Sequence, residues 1–161
     1  MLSGEDIRLS GLLPPDRGQY QPNGVDLSLD TVWSVSGPGT LGRSNVDRLL
    51  PEREALLFDD DGWLQLPQGG YGVRYAEYVQ VPTDCGGLCF PRSSLLRMGA
   101  YIPTAVWDAG YNGRGEGWLE VRNPYGLRLQ QGARVVQLVI FRLTAPASAG
   151  YAGAYQERSG S

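Results

Sequence analysis

Apolar residues in this chain recur in runs too short, and too often interrupted, to build helices: 23 glycines and 11 prolines divide the 161 residues. Outside residues 3–9 and 94–98, no stretch keeps the 3.6-residue period of a helix over a useful length. Strand signals remain. NGVDLSLDTVWSV sets Val25, Leu27 and Leu29 against Asp26, Ser28 and Asp30, the two-residue period of a half-buried strand. YGVRYAEYVQVP carries tyrosine and valine at strand density and stops at Pro82. GWLEVRN adds another strand, and ARVVQLVIFRL, apolar on both faces, reads as a central one. Between residues 34 and 70, apolar islands at 56–58 and 63–66 are joined by turns such as Asp61-Gly62. The pattern predicts a mostly β domain of about ten short strands, a sandwich or distorted barrel, with one or two short helices.

The first helix is expected near the N-terminus, where Ser3 can cap it, Asp6 can close a capping box and Leu2 occupies a staple position. Pro14, Pro15 and Gly18 would end it. The length suits one domain with a core that needs no disulfide or metal staple. No apolar run approaches the roughly 18 residues of a membrane span, and no signal-peptide pattern precedes the domain, so a soluble cytoplasmic protein without a membrane partner is expected. From residue 145 onward the chain shifts to Ala, Gly and Ser with two tyrosines. The division is therefore a domain over 1–144 and a tail over 145–161, either a frayed end or an arm that orders over a ligand.

Every one of the 14 basic residues is arginine, and the chain has no histidine. That excludes a lysine Schiff base, a phosphate-loop lysine, a histidine base, a Ser-His-Asp triad and an imidazole metal site. Arginine forks suit bidentate phosphate contacts, although genome composition or heat adaptation also raises arginine over lysine. A pI near 4.9 argues against a nucleic-acid partner. Cys85 and Cys89, in TDCGGLCF, have the wrong spacing for a C-x-x-C motif and are too few for a zinc site; they read as small buried strand residues.

Candidate chemistry concentrates between residues 90 and 123. In PRSSLLRMG, Ser93 or Ser94 can cap a one-turn helix, Leu95, Leu96 and Met98 can anchor it, and Gly99 can end it. Two hydroxyls with Arg92 and Arg97 around that turn suit a phosphate chain, while an ordinary capped helix explains the serines equally. In WDAGYNG, two glycines would hold Asp108 at the end of a strand, where it can act as a general base toward water or bind a sugar hydroxyl. Tyr111 can stack on a flat or sugar ring; an Asx-turn acid beside a core tyrosine is the bland alternative. A further acid, Glu120, stands between Leu119 and Val121, which would face the other side of its strand.

The order QPNGVDLSLD, PRSSLLRMG, WDAGYNG, GARVVQLVI and YAGAYQ resembles the five motifs of the trimeric dUTPase and dCTP deaminase superfamily, most closely its archaeal dUTPase-like branch. The resemblance implies a distorted jelly-roll β-barrel assembled as a homotrimer, with sites at subunit interfaces. By position it gives the triphosphate to Arg92, Ser93, Ser94 and Gln137, and catalysis to Asp108. Arg97, Gly99, Ala100, Tyr101, Thr104 and Tyr111 become the nucleoside-binding set, with base selectivity carried by backbone groups of 99–104. Residues 151–158 become a lid containing Tyr151, Tyr155 and Gln156. Mg²⁺ enters with the triphosphate, and no side-chain metal site is implied.

The superfamily holds two chemistries. In dUTPases an aspartate activates water for attack on the α-phosphorus; in dCTP deaminases a glutamate activates water for attack on cytosine, without zinc. Glu120 resembles the deaminase glutamate when counted back from Asn123, but lies two residues too far from Asp108 because residues 113–116 look inserted. Arg97 and the paired serines look deaminase-like, whereas Tyr111 and the insertion look dUTPase-like. The expectation is dUTP diphosphatase, with a zinc-independent or bifunctional deaminase as the alternative and a non-catalytic nucleotide-binding regulator as a third. The arm departs from the usual Gly-rich phenylalanine motif of dUTPases.

Overall fold

The computed structural model describes residues 1–12, 18–103 and 105–156. Helix α1 (Gly4–Leu9) begins as expected: the Ser3 hydroxyl accepts from the Asp6 amide at 3.1 Å, and the Ser3 amide donates to the Asp6 carboxylate at 3.0 Å. The buried side chain of Ile7 holds the helix to the core. Pro14 and Pro15 lie outside the described residues.

Among the described residues eleven strands follow: β1 (Tyr20–Gln21), β2 (Gly24–Ser36), β3 (Glu52–Leu56), β4 (Trp63–Leu66), β5 (Gly69–Gln80), β6 (Cys85–Pro91), β7 (Ala100–Tyr101), β8 (Val106–Trp107), β9 (Asn112–Val121), β10 (Leu127–Gln130) and β11 (Arg134–Arg142). The second helix, α2 (Ser93–Arg97), separates β6 from β7. Nine strands form one curled antiparallel sheet in the order β7-β9-β5-β2-β11-β6-β8, with β1 and β3 added onto β2, and β10 pairs with β4. The architecture is mostly β with two short helices, as the pattern predicts.

β11 is central, hydrogen-bonded to β2 on one side and β6 on the other. Val136, Leu138 and Ile140 are at most 1% exposed, and each such side chain contributes about 1.5–3 kcal/mol by leaving water. Cys85 and Cys89 are buried on β6, in the structural role expected of them. In the first part of β9 the inward positions Gly115 and Gly117 are glycines because the space is already taken. A Cβ at Gly115 would lie 2.2 Å from the Trp107 ring, and one at Gly117 would lie 2.5 Å from the Tyr75 hydroxyl. Those two rings stack with centroids 6.3 Å apart, so β9 rests directly on aromatic core.

Two expectations need correction. The island at 56–58 is not the strand; β3 runs from Glu52 to Leu56 and is mostly exposed. It is an edge strand whose charged residues protect it from pairing with another chain, so hydrophobic patterning does not find it. More consequentially, Asp26 does not face solvent. β2 is buried on both faces from Gly24 to Leu27, and Asp26 is 2% exposed. Its carboxylate lies 3.3 Å from Arg92 Nε and 3.6 Å from Arg134 Nη1, and accepts from Gln21 Nε2 at 3.2 Å.

Burial pushes the Asp26 carboxyl above its ordinary value, and Arg92, Arg134 and Gln21 pull in the opposite direction. A carboxyl with a raised folded pKa holds its proton more tightly when folded. Its contribution is therefore fully present at low pH and lost as pH rises from the ordinary 3.8 through the raised value. Asp26→Asn removes this titration. In thermal unfolding followed by circular dichroism from about pH 3 to about pH 8, Tm of the parent minus Tm of the variant should fall through that window and then level off.

Candidate active site

Asp108 follows directly on β8 and opens a turn closed by the Tyr111 amide donating to the Asp108 carbonyl at 3.0 Å. Gly110 sits at φ +81°, which a side chain rarely adopts, and its amide donates to the Val81 carbonyl at 2.9 Å. The turn is thus tied to the end of β5, and Asp108 projects outward. Its carboxylate is exposed and makes no hydrogen bond or ion pair among the described residues. It lines a cavity of about 600 Å³ together with Trp107, Tyr111, Arg114, Glu116 and Arg53. The Tyr111 ring is oriented on two sides: its hydroxyl donates to the Arg114 carbonyl at 3.0 Å, and it packs edge-on against Trp107 with centroids 5.3 Å apart. A free acid beside a fixed ring and two arginines can activate water next to a bound anion.

The tail completes this wall. The Tyr151 amide donates to the Ala109 carbonyl at 2.8 Å, and its ring lies 5.7 Å from that of Tyr111. Gln156 spans the turn, accepting from the Asn112 amide at 3.1 Å and donating to the Gly110 carbonyl at 3.2 Å. A Cβ at Gly110 would meet Gly150 at 2.6 Å, so glycine also admits the arm. Tyr155 lies over Arg48, with 5.3 Å from guanidinium to ring centroid. The three residues read as a lid from the sequence therefore gather on the Asp108 side of the same chain.

The residues read as phosphate-binding gather elsewhere. Arg92 is the N-cap of α2 and makes no side-chain cap; Ser93 and Ser94 are the first helical residues, with exposed side chains. The expectation of a serine cap is thus corrected: the chain turns into the helix one residue earlier, on Arg92, whose amide is fixed to the Val135 carbonyl at 3.0 Å. Leu95 alone anchors the helix; Leu96 and Met98 are 53% and 49% exposed, because a single turn directs only one of the three inward. Gln137 lies opposite Asp26 on β2 and Phe90 on β6, next to the Arg92 ion pair. Gly99 ends α2 at φ +76° as expected, and its carbonyl accepts from the amides of Arg122 and Asn123. Arg97 is exposed, and Ala100 and Tyr101 form β7; Thr104 lies outside the described residues.

Asp108 and Arg92 lie toward opposite ends of β6. β8 pairs with β6 through Trp107 opposite Gly87, and Arg92 follows Pro91 at the far end of that strand. At the rise of a β-strand this separates the two regions by about 17 Å. Glu120 belongs to neither the Asp108 cavity nor its turn. It stands opposite Tyr101 on β7, accepts from Trp118 Nε1 at 2.8 Å and lies 3.6 Å from Arg122 Nε. Leu119 and Val121 are buried on the opposite face, as expected. The acid that shares the cavity with Asp108 is Glu116, about 13 Å nearer along β9. Sequence reading missed Asp26, Arg53 and Glu116. Only the apparent insertion at 113–116, a dUTPase-like feature that displaces Glu120, marks this segment, and it does not single out Glu116.

The dCTP deaminase-like family model matches residues 2–143. A probable deoxyuridine 5′-triphosphate nucleotidohydrolase of Aeropyrum pernix is 44% identical over 156 residues, covering 96% of each chain. Among solved structures, the 2′-deoxycytidine 5′-triphosphate deaminase of Agrobacterium tumefaciens superposes with a TM-score of 0.63 at 21% identity, over 86% of this chain and 47% of that longer one. The dUTPase of EIAV superposes with a TM-score of 0.53 at 15% identity, over 88% of this chain and 91% of its own. The fold is the dUTPase-like distorted jelly roll, and the chain belongs to the dCTP deaminase-like family.

Proposed function

We propose that the protein hydrolyses dUTP to dUMP and pyrophosphate. The observation that carries this choice over deamination is the placement of the acids: Asp108 stands free at the wall of the cavity, whereas Glu120 is engaged by Trp118 and Arg122 outside it. The 44% identity to the Aeropyrum pernix nucleotidohydrolase supports the same reading. Asp108 orients a water and takes its proton as the water oxygen bonds to the α-phosphorus. The bond from that phosphorus to the bridging oxygen breaks, and pyrophosphate leaves with the electron pair. Tyr111 packs against the deoxyribose and leaves no room for a 2′-hydroxyl.

The triphosphate is held by Arg92, Ser93, Ser94 and Gln137. The β6 spacing keeps these residues too far from Asp108 to serve one substrate within a single chain. We therefore assign a complete site to two copies in a homotrimer, one giving the acid and one the phosphate turn. Phe90, Leu96, Met98 and Tyr101, between 36% and 53% exposed around α2, supply the apolar surface that such a neighbour would cover. Residues 145–156 form the arm that encloses the nucleotide.

Mg²⁺ fits only as an ion carried by the substrate. Among the described residues no three acids or cysteines converge on one point, and Asp26 is committed to two arginines. Magnesium commonly takes its ligands from phosphate oxygens and water, so none of the side chains above is required to hold it. When bound, it neutralises charge on the phosphates.

Asp108→Asn should lower pyrophosphate release from dUTP by about 100-fold or more while binding of a non-hydrolysable α,β-imido dUTP stays near the parental affinity; turnover at the parental rate would overturn the assignment. Glu120→Gln should leave dUTP hydrolysis unchanged. If the parent instead released ammonia from dCTP and Glu120→Gln abolished that release, the deaminase reading would replace this one.

A further inference from the structure

The outward face of β9 carries Asn112, Arg114, Glu116, Trp118 and Glu120, and Glu116 meets a side chain from an unexpected distance along the chain. Arg53, on edge strand β3, reaches across β2 and β5 and donates Nη1 to Glu116 Oε1 at 2.7 Å and Nη2 to Oε2 at 2.9 Å. Its path is open because β5 has glycine at the crossing. Trp33 packs against Gly72, where a Cβ would come within 2.0 Å of the indole, and the Arg53 guanidinium lies over that ring, 4.4 Å from its centroid. The guanidinium is thus fixed by its face on tryptophan and by its edge on a carboxylate.

An exposed ion pair of this kind adds little stability, and Arg53 and Glu116 are 44% and 38% exposed. What the arrangement does produce is a rigid donor group at the wall of the Asp108 cavity. Arg53 and Glu116 form the partition between that cavity and a smaller groove of about 240 Å³ lined by Trp33 and Trp118. Of the five N–H groups of a guanidinium, two are used by Glu116 and the others remain available. Both Glu116 oxygens are turned to the guanidinium, which holds the remaining Arg53 N–H groups in place as fixed donors at the cavity wall.

We propose that Arg53 is a base-selecting residue, presenting N–H donors to the C4 carbonyl of uracil at the position where cytosine carries an amine. Glu116 and Trp33 act as positioning residues for it. The inference rests on the dUTP reading and deepens it: a site with fixed donors accepts a carbonyl and leaves an amine facing an N–H, which costs far more than a small misfit in an apolar pocket. Selectivity is then shared between the backbone of residues 99–104 and a side chain from a distant edge strand.

The test measures pyrophosphate release from dUTP and from dCTP by the parent, Arg53→Met and Glu116→Gln. Arg53→Met keeps the length and packing on Trp33 but removes the donors. It should raise KM for dUTP and cut the dUTP-to-dCTP ratio of kcat/KM by about tenfold or more. Glu116→Gln, which loosens the fork without removing it, should reduce the ratio less. Equal losses on both substrates, or a fall in Tm with an unchanged ratio, would mean that the pair is merely structural and would overturn the proposal while leaving the reaction intact. Should the parent fail to hydrolyse dUTP, the reaction itself is refuted. The ratio of calorimetric affinities for α,β-imido dUTP and α,β-imido dCTP, with and without Arg53→Met, then decides the role of Arg53 separately.

Discussion

A carboxylate taken out of water must keep its cations, and Asp26 keeps two. Removing such a charge from solvent costs on the order of several kcal/mol, which close ion pairs and hydrogen bonds have to offset. Here the partners come from three parts of the chain: Gln21 from β1, Arg92 from the start of α2 and Arg134 from the start of β11. One side chain therefore fixes the junction where β2, β11 and the end of β6 meet. It also aligns the Arg92 guanidinium, whose side chain remains 34% exposed at the surface assigned to phosphate.

The opposite end of the molecule is organised by rings and glycines rather than by charge. Trp107 lies between the Tyr75 ring and the Tyr111 ring, and glycines in β9 let the backbone lie on it. Gly110 gives the turn its left-handed residue and makes room for Gly150 of the arm. Asp108 is thereby held at the rim of a rigid aromatic stack. On the proposed reading, the polar end holds a substrate's charge and the aromatic end holds the acid that acts on it.

Much of this was legible in the sequence where the cause is local. The Ser3–Asp6 box, the stop at Gly99, the central place of β11 and the corner that carries Asp108 all follow from residues within a few positions of one another. Features made by distant residues were not legible. Asp26 alternates with apolar neighbours as a solvent-facing residue would, and the approach of Arg92, Arg134 and Gln21 makes its burial tolerable. Arg53 and Glu116 are 63 positions apart, and nothing in either segment announces the other. The serines of α2 look like caps, but Val135 fixes the preceding arginine and shifts the helix start.

The length of β6 has a consequence in mass action. A strand that holds the phosphate turn about 17 Å from the acid makes each chain, on the proposed reading, half of two different sites. Specific activity then depends on protein concentration, falling on dilution as copies separate, and nucleotide bound across two copies draws them together by linkage. A chain that has lost Asp108 and another that has lost Arg92 are each inactive alone, yet a mixed assembly of the two regains intact sites wherever a sound acid meets a sound phosphate turn.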